Sequence, residues 1–178
     1  MRRSSVFLML LMAIGMIGCE EKLKPSVVMV DQQKLPSQES WNSTVVFTDS
    51  ARIKAVLWSG HITVYGSEQY TLLSDSIHVD FYNDLQQHTS TLTALRGRVN
   101  DRTQDLEAYE RVRLVSDDGA VLKTDRLFWN NADRTIRSDT FVDIASRTEH
   151  ITGQGLVSDQ SLKNYRIFRV TGQAVTTE

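Results

Sequence analysis

The chain has 178 residues, 40% of them hydrophobic, with 20 basic against 22 acidic side chains. That length carries one domain with a core of its own, and the near-even balance lacks the basic excess of a general nucleic-acid binder. A single cysteine excludes an internal disulfide.

Arg2 and Arg3 open the chain, and Val6 to Gly18 follows without a charge, rich in Leu, Met and Ile. A bilayer-spanning helix needs roughly 20 apolar residues, so this run is too short to span. A basic start, a short apolar run and small residues at its end spell a secretory signal over residues 1–18. The alternative is a short buried helix opening a cytosolic domain, but no polar residue punctuates one face of the run. Met16-Ile17-Gly18-Cys19 resembles a bacterial lipobox, which predicts cleavage before Cys19 and acylation of its thiol. Each buried methylene of an acyl chain contributes about 0.8 kcal/mol to membrane binding, and two chains anchor stably. The expected place is the periplasmic face of the inner membrane. Glu20 stands where Asp retains some lipoproteins there, so the outer membrane stays open. From Cys19 onward, eighteen basic residues face twenty-two acidic ones, a balance of −4.

Residues 19–43 read as the acylated terminus and an extended tether. Both prolines, Pro25 and Pro36, fall here among Gln, Ser, Glu and Lys. Val27 to Val30 is a short apolar interruption with the makings of a stray strand.

Residues 44–178 read as one all-β domain. His78-Val79-Asp80-Phe81 and Arg111-Val112-Arg113-Leu114 alternate with period two, as does the centre of Phe141-Val142-Asp143-Ile144. Polar clusters separate the runs: Asn83-Asp84, Asn100-Asp101, Asp117-Asp118-Gly119 and Asn130-Asn131. Asn, Asp and Gly supply the left-handed conformations of tight turns, which accounts for these acidic groups without a metal. No long run carries a helical period.

A repeat of about thirty residues runs through this body. Leu92, Ala94, Gly97, Val99, Asn100 and Leu106 match Leu122, Thr124, Leu127, Trp129, Asn130 and Ile136; Val112 and Leu114 match Val142 and Ile144; Ile151, Gly153 and Leu156 begin a third copy. Each copy goes apolar, skip one, small, skip two, apolar. A strand breaks its alternation so where it bulges or turns a corner. A unit this short cannot bury its own apolar face, so copies must stack. The expected architecture is bent antiparallel strands, in a solenoid-like jellyroll or a sandwich.

The segments "SDSIHVDFYN", "LTALRGRVND", "LKTDRLFWNN", "ITGQGLVSD" and "LKNYRIFRVTG" follow in order and spacing what is seen in the LptC family, and the chain resembles that family from about Ser50 to Gly172. The resemblance implies a single bent β-jellyroll of the OstA/LptC-like kind. It implies a periplasmic part of the lipopolysaccharide export machinery that accepts lipopolysaccharide from the inner-membrane ABC transporter and passes it to a soluble periplasmic jellyroll. Many relatives are held by a transmembrane helix, whereas this chain has Cys19. Neither catalysis nor a cofactor is implied.

A lipid carrier needs an apolar interior that its own side chains do not completely fill. The inward set expected to form the lipid groove is Phe81, Leu92, Val112, Leu114, Leu122, Leu127, Trp129, Val142, Ile144 and Leu156, with Ala94, Gly97 and Gly153 leaving room. The alternative is a plain filled core, and with it a lipoprotein scaffold that binds partners through sheet edges without carrying lipid. Tyr165, Arg166, Ile167, Phe168, Arg169 and Val170 form the expected docking edge for the soluble partner, and the early strands from Thr44 to Val56 would face the transporter. Arg96, Arg98, Arg111 and Arg113 suit lipid phosphates, or are a solvated strand face. His61, His78, His88 and His150 lack metal-ligand spacing, and Gly153-Gln154-Gly155 lacks the helix of a dinucleotide site.

Overall fold

The computed structural model describes residues 35–175; the signal run, Cys19 and most of the tether lie outside the described residues. Eleven strands follow one another: β1 (Gln38–Asp49), β2 (Arg52–Tyr65), β3 (Tyr70–Tyr82), β4 (His88–Ala94), β5 (Arg96–Asn100), β6 (Leu106–Ser116), β7 (Val121–Trp129), β8 (Thr135–Ala145), β9 (Glu149–Asp159), β10 (Tyr165–Ile167) and β11 (Val170–Val175). All belong to one antiparallel sheet ordered β1-β2-β3-β4-β6-β7-β8-β9-β10, with β5 between β3 and β6 and β11 beside β9. No helix among the described residues is long and apolar enough to cross a membrane.

The sheet folds over along one line. At that level β1 turns left-handed at Asn42 (φ 49°), β3 at Asp75 and Ser76 (58° and 74°), β6 at Glu110 and Arg111 (66° and 56°) and β9 at Gly155 (81°). Register shifts mark the same level in β2 between Ser59 and His61, in β7 between Thr124 and Phe128, and in β8 between Ser138 and Phe141. Leu95 separates β4 from β5 there, and Phe168 and Arg169 separate β10 from β11. Such irregularities let a strand bend sharply and re-aim its side chains. The corner of β2 requires glycine: a Cβ on Gly60 would sit 2.3 Å from the Asp75 carbonyl oxygen.

Folding along this line gives two leaves packed face to face. The upper leaf ends in the turns around residues 50–51, 83–87, 117–120 and 146–148. The lower leaf ends in the turns around 66–69, 101–105, 130–134 and 160–164. Because one sheet makes both leaves, the architecture is a bent jellyroll and not a sandwich of separate sheets. The skip of two in the repeat is this corner: Leu92 and Leu122 are buried in the upper leaf, Gly97 and Leu127 in the lower. The turn chemistry repeats as well. The Asn100 side-chain oxygen accepts from the backbone N–H of Arg102 and Thr103 at 3.0 and 3.1 Å, and Asn130 does the same for Ala132 and Asp133 at 3.0 Å each.

Strand β1 starts at Gln38, so residues 38–43, read from the sequence as tether, are paired strand. Gln38 to Trp41 pair with Val64 to His61. Their side chains at an open edge are mostly polar, which hid the strand from a reading based on apolar alternation.

Candidate functional site

The inward face of the upper leaf carries a continuous apolar row. Val45 pairs with Leu57, Leu57 with Val79, and the row continues through Leu92, Leu114, Leu122 and Ile144 to Ile151. At about 4.8 Å between neighbouring strands, these eight positions span roughly 34 Å from β1 to β9. The lower leaf answers with Val64, Val99, Leu106, Trp129 and Ile136. The leaves meet through aromatic rings: Trp129 lies 5.1 Å from Phe81 and 6.2 Å from Phe47, centroid to centroid.

All ten residues expected to form the lipid groove sit in this interior, and none is more than 2% exposed. Phe81, Leu92, Val112, Leu114, Leu122, Val142 and Ile144 belong to the upper leaf, and Leu127, Trp129 and Leu156 to the lower. The expected room beside the small residues is occupied. A Cβ on Gly97 would meet Ile77 and Leu73 at 3.1 and 3.3 Å, and one on Gly153 would meet Ile167 at 2.5 Å.

The interior opens instead beside β1. A cavity of about 430 Å³ lies between the leaves there, lined by Val45, Phe47 and Leu57 from above and Ile62, Val64, Leu73 and Val99 from below, with Gln38, Ser40, Asp101 and Gln104 among its polar lining. Val45, 38% exposed, is the outer end of the apolar row. Apart from Val99, these residues fall outside the thirty-residue repeat, so the repeat could not point to the cavity. The short alternation Ser43, Val45, Phe47 was the one available signal.

Along the margin opposite the corner line the mouth of the fold is laced by polar contacts between the leaves. Lys54 donates from Nζ to the Asn131 carbonyl at 3.1 Å, and Arg134 pairs with Asp84. Gln160 donates from its side-chain amide to the Tyr82 carbonyl at 2.9 Å and to Thr89 Oγ1 at 3.2 Å, while its backbone carbonyl accepts from the Ser90 hydroxyl. Lys163 pairs with Asp118 at 3.0 Å. The Arg134 guanidinium holds the Asp84 carboxyl below the usual carboxylate range. Burial pushes the Asp159 carboxyl up, but hydrogen bonds from Ser161, Asn164 and Lys163 outweigh it, and its pKa is lowered. Burial and a hydrogen bond to Glu149 push the Tyr165 phenol up to about 12. Three buried polar atoms near this seam find no partner in the protein: Trp129 Nε1, Asn131 Oδ1 and Gln160 Oε1.

The sheet has two ends. β1 is one, exposing Trp41 and Val46. At the other, the segment expected as a single strand from Tyr165 to Val170 is split by the corner: Tyr165 to Ile167 pair with the lower part of β9, and Val170 starts β11 along its upper part. Phe168 and Val170 are exposed there.

The four arginines singled out from the sequence are all exposed. Arg96 pairs with Glu110 at 3.5 Å, and Arg98 lies over the Tyr70 ring. His61 stacks on Trp41; His78 and His88 both contact Asp80; His150 contacts Asp143. No group of three or more His, Cys, Asp or Glu among the described residues has the geometry to hold a metal.

Among curated proteins none matches the chain. The family model for lipopolysaccharide-assembly, LptC-related proteins matches residues 6–174, nearly the whole length. With a bent antiparallel jellyroll of eleven strands behind that match, the chain belongs to the LptC family.

Proposed function

We propose that the protein accepts lipopolysaccharide from the inner-membrane export ABC transporter and passes it to a soluble periplasmic jellyroll. In this reading acyl chains on Cys19 hold it at the periplasmic face of the inner membrane. Family membership makes it a cell-envelope component of lipopolysaccharide transport, from a family of transport and scaffold parts and not of enzymes. The observation that carries the finer reading is the apolar row that begins at the exposed Val45, in an open cavity, and runs inward through Leu114 to Ile151. Acyl chains entering there would exchange water for apolar surface such as that of Val45, at about 25 cal/mol per Å² covered. β1 would face the transporter, and β10 with β11 would add the soluble partner by backbone pairing.

A second reading has its own support. The ten residues are covered by one another, as in a scaffold that binds partners at its edges and carries no lipid. One experiment separates the two. A photocrosslinking residue is placed in turn at Val45, Leu114 and Phe168 in exporting cells. The carrier gives lipopolysaccharide adducts at the first two and a protein adduct with the soluble jellyroll at the third. Protein adducts with no lipid adduct at either interior position leave the scaffold.

A further inference from the structure

We propose that the polar seam opposite the corner line is a releasable latch, and that acyl chains pass sideways through it into the apolar row. This inference rests on the carrier reading above and adds the route by which a closed interior is filled.

Three observations carry it. First, two ion pairs of the seam, Arg134 with Asp84 and Lys163 with Asp118, separate at little cost, while Lys54 and Gln160 are buried. Asp84 is 70% exposed, and Lys163 and Asp118 are each 63% exposed; ion pairs this wet contribute little to stability. Second, closure leaves work undone. Trp129 Nε1, Asn131 Oδ1 and Gln160 Oε1 are buried around the seam without partners, and native interiors seldom leave such atoms unpaired. A polar group entering at the margin could pair with them. Third, a hinge is present. The corner line crosses every strand at a bend or register break, so the leaves can rotate about it while each hairpin keeps its own pairing. Lys54, Arg134, Gln160 and Lys163 bridge leaf to leaf at the margin farthest from that hinge, where a small rotation opens the widest gap.

The chemistry of the occupant follows from what lies behind the latch: a methylene chain to lie along Leu92, Leu114 and Leu122, with a polar group left at the margin. There an oxygen of the lipid can accept from the Trp129 indole N–H, and a hydroxyl can donate to the Gln160 side-chain oxygen.

The test locks the latch reversibly. In the full-length chain carrying the photocrosslinker at Leu114, Asp84→Cys and Arg134→Cys are joined by a disulfide-linked bridge about as long as the arginine side chain it replaces. Purified lipopolysaccharide is the probe. The bridged protein should give at least tenfold less adduct than the unbridged double variant, and reductant should restore it. Equal adduct in both forms overturns the latch and leaves the carrier reading standing. No adduct in the crosslinker protein without the two cysteines either overturns the carrier reading, and the latch with it. Hydrogen exchange on the unsubstituted protein is an independent check. The amides of residues 82–90 and 160–164 should exchange at least threefold faster with lipopolysaccharide present, and unchanged rates count against the latch.

Discussion

The two ends of the interior are closed by different means. Beside β1 the leaves stand apart, and apolar side chains such as Val45 reach solvent. Beyond β1 the leaves are in contact, with Trp129 packed against Phe81 and the margin tied by Gln160, Arg134 and Lys163. One sheet thus carries a finished core at one end and an unfinished one at the other. The difference shows along the row: Val45, in the cavity that Ser40 and Gln104 also line, is exposed, while Leu92, Leu114, Leu122 and Ile144 are buried.

The contrast can be broken by substitution. Trp129→Ala removes the ring that both leaves share, and should lower stability by about 3–5 kcal/mol, read as a fall in the urea midpoint. Val45→Ala at the open end should cost about 1 kcal/mol or less; equal losses at the two positions would mean that the ends are packed alike. Gln160→Ala comes next, at about 1–3 kcal/mol, because the Tyr82 carbonyl loses its donor at the margin. A urea midpoint within error of the unsubstituted protein would show that the seam carries no weight.

Acid gives the smallest and most local effect. Asp159 and Asp84 have lowered pKa values in the folded chain, so what they contribute is present above the unfolded aspartate value near 3.9. It is lost as pH falls through the folded values. As pH falls from about 4 towards 2 the turn at 160–164 should therefore loosen before β1, seen as earlier loss of amide protection there. Simultaneous loss at both ends would remove the distinction.

Much of the architecture was legible because the repeat writes the corner into the spacing. Leu92, Ala94 and Gly97 alternate, then skip, and the skip falls at Leu95, between β4 and β5. Turns were legible through Asn100 and Asn130, whose side chains do in the fold what asparagine does locally. Interior residues followed from period-two alternation, and all ten are buried. The open cavity was not legible. Whether Val45 is covered depends on Ser40, Gln104 and Asp101, which approach it only after the sheet folds over. The start of β1 was missed for a related reason: an edge strand with polar side chains has no periodic signal. The seam escaped because its pairs lie far apart in the chain, Lys54 with Asn131 and Arg134 with Asp84.

The corner line also sets a rule of tolerance. Every long strand passes through both leaves, so the number of residues on each side of its bend is fixed by its neighbours. One residue added within Val121–Trp129 would push either Leu122 or Leu127 to the wrong face. The same residue added at Asp118 or Asp133, in a hairpin turn, would disturb no bend. The fold line therefore works as a ruler, holding strand lengths constant and leaving the turns as the places where this chain is free to vary in length.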